Sequence, residues 1–220
     1  MKYLFFSLLL FGSVCLTQAQ IKAQDPEAEP WLDRVAQMFT TDKTLVMEFA
    51  YKREDQQTQE QVTGNGTLFL KREMYRVDLD NFVLYFDGKY QYSQNNDAEE
   101  VYVSQPDPED KEMLFSDPVR LLRNYRENFK YYVAGESTFE GKKALEIQLN
   151  PVDISGPYAM VKIFMDRSTN NLSGIQIRHK EGILYTMVPG TIKKDQDKPD
   201  TWFRFNPQEF KGYELIELVD

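Results

Sequence analysis

Apolar and polar residues alternate along most of the chain that follows residue 44. In the run 45–52, Leu45, Met47, Phe49 and Tyr51 alternate with smaller or charged residues. A period of two with many aromatic residues is typical of strands that are buried on one face. Similar runs, separated by turns such as Asp87-Gly88-Lys89, occur at 66–72, 75–79, 82–86, 90–92, 101–103, 129–133, 144–149, 160–165, 173–178, 183–188 and 202–205. The pattern predicts a mainly β protein with roughly ten or eleven antiparallel strands, in up-and-down order and strongly curved on itself.

The segment 30–39 breaks the alternation and predicts an amphipathic helix. Its apolar residues recur at helical spacing and form one stripe, made of Trp31, Leu32, Val35, Met38 and Phe39. Pro30 is favourable at the first position of a helix. We therefore expect a helix of two to three turns that packs against the sheet.

A second helix is predicted in the middle of the chain, where the strands pause. Ser116-Asp117-Pro118 provides an N-cap followed by proline at the first helical position. The helix would cover residues 119–126, with Val119 and Leu122 on its apolar edge. Because it interrupts a sheet, we expect it to cover one face of that sheet as a lid.

The first 19 residues have the pattern of a secretory signal peptide. Lys2 precedes the apolar run 3–11, and Thr17 and Ala19 are suitable residues before a cut after position 19. The predicted organisation is thus a signal peptide at 1–19 and a single domain at 20–220. Lipidation of Cys15 is the alternative, but Val14 replaces the small residue that such processing requires. With the cut after Ala19, the remaining chain has no cysteine for disulfides or thiolate metal sites.

Charge and residue chemistry exclude several classes of function. Removal of residues 1–19 leaves 25 basic and 35 acidic residues, a net charge of −10, which disfavours binding to nucleic acid. The single histidine, His179, cannot build a His-rich metal site, and we expect it at the surface. There is no glycine-rich phosphate loop. The prediction is a protein that is not an enzyme and has no cofactor, although a calcium site or a carboxylate pair stays open at this stage.

Five short motifs, in order along residues 31–210, resemble the LolA-like family of outer-membrane lipoprotein carriers. They are Leu32-Asp33-x-Val35, Gly66-x-Leu68-x-Leu70-Lys71-Arg72, Asp87-Gly88-Lys89 followed by Tyr90-x-Tyr92, Asp117-Pro118 before an apolar helix, and Phe203-x-Phe205-Asn206-Pro207. The resemblance implies an unclosed β-barrel with a helical lid. It also implies a periplasmic carrier that takes acylated lipoproteins from an inner-membrane ABC transporter to an outer-membrane acceptor. We expect the carrier to be a monomer.

The resemblance also implies a site. Its acyl-chain cavity would be lined by residues of the inner face and of the lid, namely Leu45, Met47, Phe49, Leu68, Leu70, Val77, Leu79, Val119 and Leu122. Arg72 matches an arginine that, in the family, points into the barrel and bonds to the lid backbone when the cavity is empty. The alternatives are that the apolar residues fill a packed core and that Arg72 reaches solvent.

Two departures from the family pattern leave the cargo open. Glu73 replaces the proline that commonly follows Lys-Arg, and the loop 105–113 is unusually acidic. The same fold also serves as an envelope sensor that binds acyl chains to signal, and as a carrier of other lipids, because fold does not determine cargo. An enzyme that uses the barrel cavity is the third alternative.

Overall fold

The computed structural model describes residues 24–40, 42–105 and 122–218. Within these ranges the chain forms one twelve-stranded sheet. The strands are β1 (Thr44–Asp55), β2 (Gln61–Lys71), β3 (Met74–Leu79), β4 (Phe82–Phe86), β5 (Gln91–Asn95), β6 (Glu100–Ser104), β7 (Phe129–Phe139), β8 (Lys142–Pro151), β9 (Tyr158–Asp166), β10 (Asn171–His179), β11 (Ile183–Gln196) and β12 (Glu214–Glu217). Two helices accompany them in the described ranges, α1 (Glu29–Met38) and the single turn α2 (Tyr125–Asn128).

Two antiparallel meanders build the sheet, β1 to β6 and β7 to β11, and the long strands β1 and β11 join them. The sheet order is β12-β6-β5-β4-β3-β2-β1-β11-β10-β9-β8-β7, so β12 and β7 are its edges and the sheet is not closed. The prediction of a mainly β, unclosed and curved sheet is confirmed. The expectation of a purely antiparallel sheet is wrong in one place, because β12 pairs with β6 in parallel.

The predicted strand at 202–205 is also wrong. Its first part is a 3-10 turn, Asp200–Phe203, in which the Trp202 amide donates to the Pro199 carbonyl. The aromatic residues of this segment do not alternate between the faces of a sheet. They pack as a group on one face of β2 to β6, where Trp202 meets Phe69 edge to face with ring centroids 5.6 Å apart.

The main core lies between the sheet and α1, on what we call the inner face. Leu32, Val35 and Phe39 of the α1 segment are buried against it, as the apolar stripe predicts. On the opposite, outer face, the segment 200–213 covers a second cluster built on Val83, Tyr85, Val101 and Val103. The helix and the C-terminal segment thus cover opposite faces of the sheet.

The second predicted helix is described only from residue 122 onward. Leu122 is buried in the main core, and α2 continues the segment to Asn128 before β7 begins. Val119 lies outside the described residues, as does the predicted signal peptide at 1–19. The helical lid therefore stays a prediction.

Candidate ligand-binding site on the inner face of the sheet

The sheet register brings most of the predicted cavity residues together. Leu45 pairs with Leu70 and Met47 with Leu68 across β1 and β2, and Val77 pairs with Leu68 across β2 and β3. Because side chains at paired positions lie on the same face of a sheet, these residues form a continuous apolar surface. Phe49 and Leu79 continue it, since both pair with Gly66.

This surface changes from closed to open along the strands. Close to α1, the side chains are almost fully buried: the exposed fraction is 1% for Leu45 and Met47 and 0% for Leu70. Farther along, Phe49 and Val77 are only partly buried, although they pack against the same core. The packed-core alternative therefore describes the half of the inner face next to α1, while the other half keeps accessible apolar surface.

The second meander extends the surface with residues that the sequence analysis did not assign to the site. Met187 of β11 pairs with Tyr51 of β1 and with Ile175 of β10, and Val133 of β7 pairs with Ile147 of β8. Met187, Val133 and Ile177 are partly buried and pack against the main core. The alternation predicts these strands, but only the β1–β11 pairing places Met187 beside Tyr51.

Two glycines of β2 make room for aromatic rings on this face. A Cβ atom on Gly66 would lie 2.5 Å from the ring of Phe49, and one on Gly64 would lie 2.6 Å from the hydroxyl of Tyr51. The two rings therefore lie against bare backbone, with centroids 6.5 Å apart. They form a broad aromatic wall at the open end of the inner face.

Arg72 is not on the inner face. Strand β2 ends at Lys71, and Arg72 is an exposed turn residue with a left-handed φ of 56°. The alternation that placed it beside Leu68 and Leu70 stops one residue earlier, because the chain turns into β3. The inward placement of Arg72 is therefore wrong, and its role as a lid switch stays a prediction.

A different arginine contacts backbone carbonyls at this end of the sheet. Arg123 donates from Nε and Nη2 to the Phe39 carbonyl at 2.8 and 2.6 Å, and from Nη2 to the Arg72 carbonyl. Its Nη1 also donates to Glu73 at 2.9 Å. Arg123 thus joins the end of α1, the β2–β3 turn and the segment before β7.

A second polar network holds α2 against the side of α1. Arg126 pairs with Asp33 at 2.8 Å, and the Tyr125 hydroxyl donates to the same carboxylate at 2.8 Å. The hydrogen bond from Arg126 holds the pKa of the Asp33 carboxyl below its ordinary value. Burial, together with the bond to Asp33, raises the pKa of the Tyr125 phenol.

The outer face is less suited to an apolar ligand. Two adjoining pockets of about 640 and 550 Å³ lie along β1, β2 and β11, and both include Ala50 and Asp80. Glu48 and Asp78 line the larger pocket and Glu140 the smaller one. An acyl chain there would have to lie beside ionised carboxylates, which lose hydration when they are covered.

Two features of the described part of the chain concern metal binding and histidine chemistry. No group of three or more His, Cys, Asp or Glu side chains that could hold a metal ion occurs there. His179 lies against the ring of Tyr158 with centroids 5.9 Å apart, and its side chain is 15% exposed. It is therefore more covered than the surface position we expected.

No helix in the described ranges is long and apolar enough to cross a membrane.

Comparisons with known proteins extend to the fold alone. No family model matches the sequence, and no curated protein matches it. An uncharacterized conserved protein from Thermus thermophilus aligns over 87% of this chain and 99% of its own, with 10% identity and a TM-score of 0.52. That match shows a shared fold.

Two further solved structures align with lower TM-scores. A DUF1329 family protein from Desulfovibrio piger aligns over 82% of this chain and 98% of its own, with 12% identity and a TM-score of 0.48. A LolA superfamily protein from Nitrosomonas europaea aligns over 81% of this chain and 97% of its own, with 11% identity and a TM-score of 0.45. The solved structures thus include a member of the family that the sequence motifs resemble, and at these identities they establish no ligand or partner.

Proposed function

We propose that this protein binds acyl chains on the open half of its inner face. The proposal rests on one observation: partly exposed apolar side chains of the inner face pack directly against the buried core. Phe49, Val77 and Met187 come from three strands that the register brings together, and each packs against the buried cluster. Accessible apolar surface of this kind, next to a packed core, is typical of a lipid site.

The energetics support a flexible, purely apolar ligand. Each methylene removed from water contributes about 0.8 kcal/mol, so covering about ten of them contributes about 8 kcal/mol before the costs of association. A polar ligand would gain less on this surface, because the partly exposed side chains there offer few hydrogen-bond partners. Met187 adds a flexible and polarisable contact that adapts to different chains.

The role we propose is that of a periplasmic carrier of lipoprotein acyl chains. The signal-peptide pattern at 1–19 and the family motifs support export and a carrier function. The partners would be acylated lipoproteins, an inner-membrane ABC transporter that releases them, and an outer-membrane acceptor. An envelope sensor on the same fold would use the same face for the same chains.

Two adjacent positions of β1 provide a matched test of the site. Phe49 lies on the inner face, whereas the neighbouring Ala50 is exposed on the outer face. We expect Phe49→Glu to abolish binding of a fluorescent fatty acid, Phe49→Leu to retain it, and Ala50→Glu to leave it unchanged. Thermal unfolding confirms that each variant is folded. Loss of binding in Ala50→Glu, or full binding in Phe49→Glu, would place the ligand elsewhere.

The carrier and the sensor hypotheses predict different partner proteins, so the partner distinguishes them. We expect the full chain, expressed in the envelope with a crosslinkable residue, to crosslink to the inner-membrane ABC transporter. Crosslinking to an anti-sigma factor instead would favour the sensor. Neither result affects the proposal that the inner face binds acyl chains.

A further inference from the structure

The sheet splits between β10 and β11 at the end that α1 covers. These strands pair only over four residues each, from Ile175 with Met187 to Arg178 with Leu184. Beyond Met187, β11 continues to Gln196 but pairs only with β1, while β10 begins at Asn171 and pairs there with β9. The two strands therefore diverge although both remain in the sheet.

The cause of the split can be read from the sequence. Continuing the β10–β11 register by two residues would bring Pro189 opposite Ser173. Proline has no backbone N–H to donate to a ladder. A register irregularity between Met47 and Phe49 on the β1 side, beside Pro189, shifts β11 further. A gap in the sheet is therefore built into this part of the chain.

A pocket of about 380 Å³ occupies this gap. Its apolar side is formed by Val35 and Met38 of α1 and by Met165 and Leu172 of β9 and β10. All four belong to the main core or pack directly against it. Met38 and Leu172 are partly exposed, so the pocket offers apolar contact to a ligand at the edge of the core.

The rim of the pocket is polar and positively charged. Arg34 and Lys194 stand on it, together with the amide side chains of Gln37, Asn170 and Asn171. None of the lining residues is acidic, although the whole chain has a net charge of −9. Among the described residues neither Arg34 nor Lys194 forms an ion pair, whereas Lys43 pairs with Asp195, the neighbour of Lys194 in the chain.

We propose that this pocket binds the anionic headgroup of an acyl lipid, a carboxylate or phosphate held by Arg34 and Lys194. The first methylenes of the tail would lie against Met38 and Leu172. The proposal rests on the proposed function, because its ligand is an acyl lipid whose first methylenes contact the main core at the α1 end. It adds a preference for anionic over neutral amphiphiles, which the apolar inner face by itself does not provide.

Paired double variants test the headgroup site. Arg34→Gln with Lys194→Gln removes both rim cations. Arg167→Gln with Lys193→Gln removes two exposed cations outside the pocket and makes the same change in net charge. The probes are a fluorescent fatty acid with a free carboxylate and its uncharged methyl ester. Dissociation constants are measured at low and high salt, because salt screens exposed charge pairs.

We expect the wild type to bind the fatty acid about tenfold more tightly than the ester, the effect of one or two charge-assisted contacts. The rim variant should lose this difference and keep its affinity for the ester, while the control variant should keep the difference. High salt should reduce it.

Three outcomes would overturn the headgroup site. Equal affinity for acid and ester in the wild type refutes it and leaves the proposed function intact. A control variant that loses as much as the rim variant shows a general effect of charge. Inorganic phosphate that binds with the affinity of the fatty acid shows an anion site that takes no lipid. If neither acyl probe binds at all, the proposed function fails as well.

Discussion

Arg123 is expected to contribute more to stability than any other cation near α1. Its side chain is 14% exposed and donates to the carbonyls of Phe39 and Arg72. Hydrogen bonds from a charged donor contribute about 1.5 kcal/mol or more each, and the exposed partner Glu73 adds at most about 1 kcal/mol. The Arg123→Ala variant should therefore lose about 3 kcal/mol of unfolding free energy.

Arg126→Ala is the matched control, three residues away in the same segment. The Arg126 side chain is 49% exposed, and its partner Asp33 is 38% exposed. A pair this exposed contributes about 1 kcal/mol or less. Urea unfolding followed by tryptophan fluorescence measures both variants. Equal losses in the two variants, or a larger loss for Arg126→Ala, would refute the role of the Arg123 contacts.

Three further predictions concern packing and pH. Gly174→Ala should lose about 1–3 kcal/mol in urea unfolding, because a Cβ atom there would lie 2.2 Å from the ring of Phe139; a variant as stable as the wild type would contradict this packing. Leu70→Ala should lose about 2–5 kcal/mol, since Leu70 is fully buried, and a loss below about 1 kcal/mol would indicate a cavity there. The lowered pKa of Asp33 stabilises the folded state above the ordinary carboxyl pKa, and this contribution is lost as pH falls through the folded value. The stability difference between wild type and Asp33→Asn should therefore shrink from about pH 6 to about pH 3, and urea midpoints that differ equally at both would contradict it.

The alternation of apolar residues was sufficient to predict the class of fold and which residues of β1 and β2 share a face. It identified most strands, while the helical spacing at 30–39 identified α1. It also placed Leu45, Met47, Leu68 and Leu70 on one face, because these residues lie inside long regular strands. Strand ends were less predictable. Arg72 follows the last residue of β2 by one position, and a period of two contains no information about where the strand stops.

Long-range pairing could not be predicted from local pattern. The apolar residues of β11 are visible in the sequence, but only the β1–β11 pairing places Met187 beside Tyr51. The parallel strand β12 was missed because Glu214–Glu217 is short and mostly exposed. The gap beside Pro189 was also missed, since a proline in a strand indicates a gap only when the neighbouring strand is known.

Binding of an acylated peptide, measured by native mass spectrometry, tests the central claim most directly. The purified full chain is mixed with a palmitoylated peptide or with the same peptide lacking the acyl group. We expect a one-to-one complex with the acylated peptide alone, lost in Phe49→Glu and retained in Ala50→Glu. A bare protein mass with both peptides, from a chain that is folded by circular dichroism, would contradict acyl-chain binding on the inner face.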